Sequence, residues 1–328
     1  MPVVDGLLIS IVFLALVFDF VNGFHDTANA IATTVMTNAL KIPYAIGMAA
    51  ILNFFGAVVG THVAETIGNS IVDPTIITKL TILVTLISSI LWNLVTWQYG
   101  LPSSSSHALI GSLLGVALVQ GVPIKFYGLK TIVLALVISP VLGLVGGTLI
   151  MILFYHLFRN IEIKKLDGMF RKIQIFSAGC MAFSHGGNDA QKSMGIITMA
   201  LLANKMITGF AVPKWVMIAC ALSMALGTAV GGWRIIKTVG RGIIELKPIQ
   251  GCVAETTSAL VIQFATHFGM PVSTTHVVTS AICGVGTAEN IYNVNWNVMK
   301  NIVTCWLITI PLVAAFSGLL YKLISMFV

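Results

Sequence analysis

The sequence predicts an all-α polytopic membrane protein built as two inverted-topology repeats, each with an interrupted helix and a re-entrant helical hairpin. Three observations predict it. The first is composition. Of 328 residues, 57% are hydrophobic and 9% are charged, and the mean hydropathy is +0.97. A soluble chain carries about 25% charged residues. Here 18 Lys and Arg and 11 Asp and Glu are too few to cover a water-exposed surface. A soluble enzyme, a nucleic-acid-binding domain and a disordered chain are excluded. The net charge of +7 is assigned to basic cytoplasmic loops rather than to a nucleic-acid partner. The second observation is unbroken apolar runs, such as 9–17 and 132–145. Barrel strands alternate apolar and polar, whereas a continuous apolar run in lipid satisfies its backbone only as a helix. The third is an internal repeat of two ordered motifs.

The first motif pairs Asn22-Gly-Phe-His25-Asp26-Thr-Ala-Asn29-Ala with His185-Gly-Gly-Asn188-Asp189-Ala-Gln-Lys192-Ser, at an offset of 163. The second pairs Gly100-Leu-Pro-Ser-Ser104-Ser105-Ser106-His107 with Gly269-Met-Pro-Val-Ser273-Thr274-Thr275-His276, at an offset of 169. Two motifs recurring in order at nearly one spacing divide the chain into a first repeat at 1–160, a basic cytoplasmic connector at 161–172 and a second repeat at 173–328.

Each element follows from this division. The run 5–21 begins a span that the polar stretch 22–29 interrupts. Residues 44–63 are a plain span. Residues 76–119 form a re-entrant hairpin, because the Pro at its tip removes a backbone donor and ends the incoming helix. The run 129–158 closes the half. In the second half, 173–183 and 194–203 flank the second polar stretch, and each is shorter than the ~20 residues of a crossing. The plain span is 211–231, the hairpin 249–286 and the closing span 300–327. Three crossings per half invert the second half. With both termini outside, the inside loops hold 11 Lys and Arg, among them Lys41, Arg159, Arg234, Lys237 and Arg241, against 6 outside. The positive-inside rule supports that orientation in the plasma membrane. Residues 1–5 carry no Lys or Arg, so a cleavable signal is not expected. The five cysteines stand singly without a CxxC, as inert thiols do.

The chemistry sits in the repeated motifs. A carboxylate at the bilayer centre costs about 2.5–3.5 kcal/mol, and finding one at equivalent places argues for function. Asp26, Asn29, Asn188 and Asp189 supply hard oxygen donors for a small cation, or a carboxylate for a proton. Helix N-caps at an interface are the plain alternative. In the second motif, the hydroxyl run caps the outgoing helix, whose N-terminus presents free N–H groups and a positive dipole end. Ser104, Ser105, Ser106, Ser273, Thr274 and Thr275 at two converging tips would surround an oxyanion. Asn22, His25, His107, His276 and Lys192 are accessory candidates. The histidines suit structural hydrogen bonding, proton relay or pH sensing. Lys192 either pairs with Asp189 or adds positive field. Glu255, alone in an apolar arm, suits coupling or hairpin packing. No zinc-binding spacing is present. Ser105 or Ser106 with His107 hints at an intramembrane hydrolase, but no G-x-S-x-G accompanies them.

These residues resemble the inorganic phosphate transporter (PiT) family, whose duplicated signature is similar to G-x-N-D-x-A-N-A. The first copy here has His25 before Asp26, and the second has Lys192 where the first has Asn29. The wording is similar to that of the bacterial low-affinity branch, over nearly the whole chain. The resemblance implies symport of inorganic phosphate driven by Na+ or H+, with alternating access, no enzymatic activity and no resident cofactor. For a proton-coupled member it leaves a neutral metal–phosphate open as the cargo beside phosphate itself. It implies phosphate at the hairpin tips and the coupling ion at the Asp/Asn motifs. Sulfate carriers share the scaffold, so sulfate stays open as a substrate, as does assembly into a homo-oligomer in the bilayer.

Overall fold

The computed structural model describes residues 5–232, 235–236, 238–239 and 242–327. Arg234, Lys237 and Arg241 of the predicted inside loops lie outside them. The described residues form eleven named α-helices, one short 3₁₀ turn and no strand. The all-α membrane architecture predicted from sequence is present.

Helix α1 (Gly6–Met36) opens on Asp5, whose carboxylate accepts the Leu8 N–H at 2.9 Å. Lys79 pairs with the same carboxylate, and together these bonds hold Asp5 below the usual carboxylate range. Helix α1 then runs 31 residues without a break, straight through the polar stretch 22–29. Helix α7 (Ile163–Ala203) does the same for 41 residues. It joins the two short apolar runs and takes in the connector from residue 163 onward. The interruptions expected at the acidic motifs are therefore absent. The physical reason is burial within protein: every residue of α1 from Val21 to Val35 is buried. The motif side chains find polar partners there, and an unbroken helix keeps the backbone satisfied.

The breaks fall in the plain spans instead. Helices α2 (Ile42–Ala57) and α3 (His62–Asn69) meet at a 70° bend. Helix α8 (Lys214–Val230) ends at Gly231, whose φ of +77° suits glycine,. Ile235, Ile236, Thr238 and Val239 are helical again. Helices α1, α4 (Lys79–Gln98), α6 (Phe126–Phe158) and α11 (Trp296–Ile324) are each long and apolar enough to cross a bilayer, as is the bent α2–α3 pair.

The hairpins match their prediction: α4 with α5 (Ser105–Gln120), and α9 (Pro248–His267) with α10 (Thr274–Glu289). The halves interlock. Helix α1 packs on α8 and α2 on α7, while α6 packs on α10 and α11 on α5. Glycines permit these close crossings in mirrored pairs. A Cβ on Gly227 would lie 2.0 Å from the Phe20 carbonyl oxygen, and one on Gly56 2.0 Å from that of Phe183. Gly115 against Ala314 and Gly284 against Leu144 repeat the pattern at 2.0 and 2.3 Å. Small residues at such crossings let membrane helices gain packing contacts. Pro140 and Pro311 occupy the same place in the two closing helices.

One face of the molecule gathers the ends of α1 and α10 and the starts of α7 and α9. It holds a cavity of about 640 Å³ lined by Asn38, Arg171, Lys247 and Glu289. The opposite face carries the Asp5–Lys79 pair and the Lys125–Asn69 contact.

Candidate functional site

The hairpin tips meet between the continuous helices α1 and α7. Ser104 and Ser273 are N-caps of α5 and α10, and their hydroxyls accept the N–H groups of His107 and His276 at 3.2 and 3.3 Å. Each cap satisfies one of the amides that a helix N-terminus leaves without an intrahelical partner. The tips touch: the Ser106 hydroxyl donates to the Val272 carbonyl at 2.9 Å. The His107 and His276 rings lie 4.5 Å apart, and His276 stacks on Trp306 at 3.9 Å. Trp306 in turn donates to the Pro102 carbonyl at 3.1 Å.

The acidic motifs lie against the tips. Asp26 accepts the Ser105 hydroxyl at 2.9 Å and the Thr275 hydroxyl at 3.2 Å, one from each hairpin. Asn29, one turn on, donates to Thr275 at 2.8 Å. Asp189 accepts from Lys192 at 2.7 Å, Asn22 at 3.2 Å and Thr274 at 3.4 Å. Donor atoms of Asp26, Asp189 and His185 lie within 4.8 Å of one another. Neither Asp is a helix cap; both sit mid-helix and are about fully buried. The arrangement thus joins Asp26, Asn29, Asp189, Ser105, Thr274 and Thr275 in one cluster.

Asn188 stands apart from that cluster. Its amide donates to Thr266 at 2.8 Å and to the Met270 carbonyl at 3.3 Å, so it anchors the second tip. His25 occupies the equivalent place and reaches Thr96 at 3.1 Å and Asp26 at 2.7 Å. Histidine here does the anchoring work of the asparagine. Lys192 pairs with Asp189, both fully buried. Glu255 takes four hydrogen bonds, from Thr33, Thr34 and Ser177 at 2.5 Å and from Gln174 at 3.0 Å. It ties the base of the second hairpin to α1 and α7. The Ser105 and Ser106 hydroxyls donate to Asp26 and to the Val272 carbonyl rather than to the His107 imidazole.

The donor set fits a hard cation. Asn22 Oδ1 and Asn29 Oδ1 are buried acceptors with no hydrogen-bond partner among the described residues. Among the described residues, Asp19, Asp26, Asp189 and Glu255 are buried carboxylates, and the one buried lysine, Lys192, is paired with Asp189. An excess of buried negative charge calls for a cation or a proton. The same cluster presents hydroxyls and two helix N-termini to an anion.

Sequence reading missed Asp19, Thr33, Thr37, Thr96, Thr266, Gln174 and Ser177. A signal was available. Asp19, Asn22, Asp26, Asn29, Thr33 and Thr37 recur every three or four residues, which is one face of an unbroken helix.

A model of the phosphate transporter family matches residues 22–166 and 159–317. A probable low-affinity inorganic phosphate transporter of Bacillus subtilis is 46% identical over 325 residues, covering 98% of both chains. One from Rhizobium meliloti is 46% identical over 319 residues, covering 96% of both. Among solved structures, a sodium-dependent phosphate transporter superposes with a TM-score of 0.87 at 25% identity, covering 99% of this chain and 100% of its own. These relatives are transporters and not enzymes.

Proposed function

Because the chain belongs to the phosphate transporter family, we propose that it imports inorganic phosphate across the plasma membrane as a cation-coupled symporter, by alternating access. One observation carries the coupling. Ser105 and Thr275, hydroxyl donors from opposite tips, are both engaged by the Asp26 carboxylate. A cation or proton on Asp26 compensates its charge and frees those hydroxyls to turn toward phosphate. Each ligand then improves the site for the other, which is thermodynamic coupling.

In this reading Ser104, Ser105, Ser106, Ser273, Thr274 and Thr275, with the N-termini of α5 and α10, receive phosphate. Asp26, Asn29 and Asp189, with the free carbonyl of Asn22, receive Na+ or H+, and Asn188 holds the second tip in place. Phosphate carries a proton to donate at neutral pH and sulfate does not, so carboxylates beside the hydroxyls favour phosphate. The repeats, 1–160 and 173–328 about the connector 161–172, supply one gate each. The Gly100 carbonyl of the first tip accepts from Thr238 toward the basic face. The second tip comes close to His62 on the other side, beside a 220 Å³ cavity lined by His62, Gln191, Thr266 and His267. The basic face is cytoplasmic and both termini are outside.

The test is phosphate uptake by proteoliposomes under separately imposed Na+ and H+ gradients, with excess sulfate as competitor. Accumulation that follows one gradient and resists sulfate is expected. Flux indifferent to both gradients would mean a channel, and sulfate competition would reassign the substrate.

A further inference from the structure

The two halves are close mirrors, so a polar cluster with an apolar mirror image marks something the scaffold does not require. Asp19 is such a place. It is fully buried in α1, two turns before Asp26 and on the same helical face. One carboxylate oxygen accepts the Ser193 hydroxyl of α7 at 2.7 Å. The other, Oδ2, has no hydrogen-bond partner among the described residues. The Cys220 thiol of α8 lies against the carboxylate, and Asp189 and Lys192 of α7 are the charged groups in electrostatic reach. Lys192 is itself bonded to Asp189.

The offsets that place Gly23 on Gly186 and Gly56 on Gly227 place Asp19 on Ala182, Ser193 on Ala30 and Cys220 on Ala49. All three alanines are fully buried. The same helix crossings are therefore packed once with three alanines and once with a carboxylic acid, a hydroxyl and a thiol. Packing does not demand the polar set.

We infer that Asp19 is a proton-binding site of the transport cycle, separate from the Asp26–Asp189 centre. This rests on the symport reading above. The ligand chemistry follows from the donors present. A Na+ ion needs several converging oxygens, and here a single carboxylate and one hydroxyl face a thiol. A proton needs one oxygen, and Oδ2 is free to take it. An ionised carboxylate with one hydrogen bond and no paired cation is costly in this setting, whereas the neutral acid is tolerated. Binding is the addition of one proton to Oδ2, and release leaves the carboxylate held by the Ser193 hydroxyl with the Cys220 thiol beside it. Seven residues of helix, about 10 Å at 1.5 Å per residue, separate Asp19 from Asp26. The proton bound there changes the field at the centre without occupying it.

The experiment uses the full chain in liposomes. Infrared difference spectra between acid and alkaline buffer should contain a protonated-acid carbonyl band, resolved from that of Glu255 in a Glu255→Gln background, that is absent in Asp19→Asn and present in Asp26→Asn. In the same liposomes, the ratio of phosphate uptake with and without an inward proton gradient should fall to about one in Asp19→Asn, since a group that no longer binds the proton cannot couple to it. The double variant Asp19→Ala/Ser193→Ala copies the mirrored pair, so it should fold and give the same ratio. An Asp19→Asn protein that keeps both the band and the wild-type ratio overturns the inference while symport stands. A wild-type protein that moves no phosphate under any gradient overturns the symport reading, and this inference with it.

Discussion

Asp189 and Lys192 form a buried ion pair at 2.7 Å, and its two members have unequal consequences. Lys192→Met strands a carboxylate in the interior, and removing one partner of a buried pair costs about 3–5 kcal/mol. Adding Asp189→Asn to that variant removes the stranded charge. We expect thermal unfolding in detergent to show a large loss for Lys192→Met and partial recovery in the double variant. Asp26 differs, because its partners are hydroxyls and an imidazole rather than a lysine. Asp26→Asn keeps the shape and removes the charge that a coupling cation would meet. Loss of one charge-assisted contact of about 1.5–3 kcal/mol corresponds to a roughly tenfold or greater fall in uptake. Surface labelling should show that membrane insertion is unchanged.

At the scale of helices, close crossings set what the chain tolerates. Gly115→Ala and Gly227→Ala would each drive a Cβ to 2.0 Å from a facing carbonyl oxygen. Overpacking of this kind costs about 1–3 kcal/mol. Gly47 of α2 has nothing within 4 Å of its would-be Cβ. Gly47→Ala should instead stabilise α2 by about 1 kcal/mol, since alanine is the better helix former. Melting temperatures of the three variants, compared in one detergent, check both signs. Broken and continuous helices divide the labour here. The continuous α1 and α7 carry the acids, and the bent or re-entrant elements carry the parts that approach them.

For the whole molecule, sidedness is the open dimension, and the basic face provides the handle. A membrane-impermeant thiol reagent on intact cells should label Asp5→Cys and leave Lys165→Cys unlabelled until the membrane is opened. A cysteine-free background is needed, since Cys180 is partly exposed. The opposite pattern would reverse the orientation without altering the fold.

Composition alone determined that this chain lives in a bilayer, because 9% charged residues cannot solvate a globule. The two repeated motifs pointed to the two repeats and their hairpins, and they named the hydroxyls and acids that the fold brings together at the tips, since tips and acids are read at fixed spacing. Three things required the tertiary structure. Helix continuity through 22–29 did, because a polar stretch reads as a break unless other elements supply its partners. The split between Asn188, which anchors a tip, and Asp26, which meets both tips, did as well, since equivalent motifs occupy unlike surroundings. The burial of Asp19 was the third. It lies outside both motifs, and only the fold shows that this acid is buried where its repeat counterpart, Ala182, is a buried alanine.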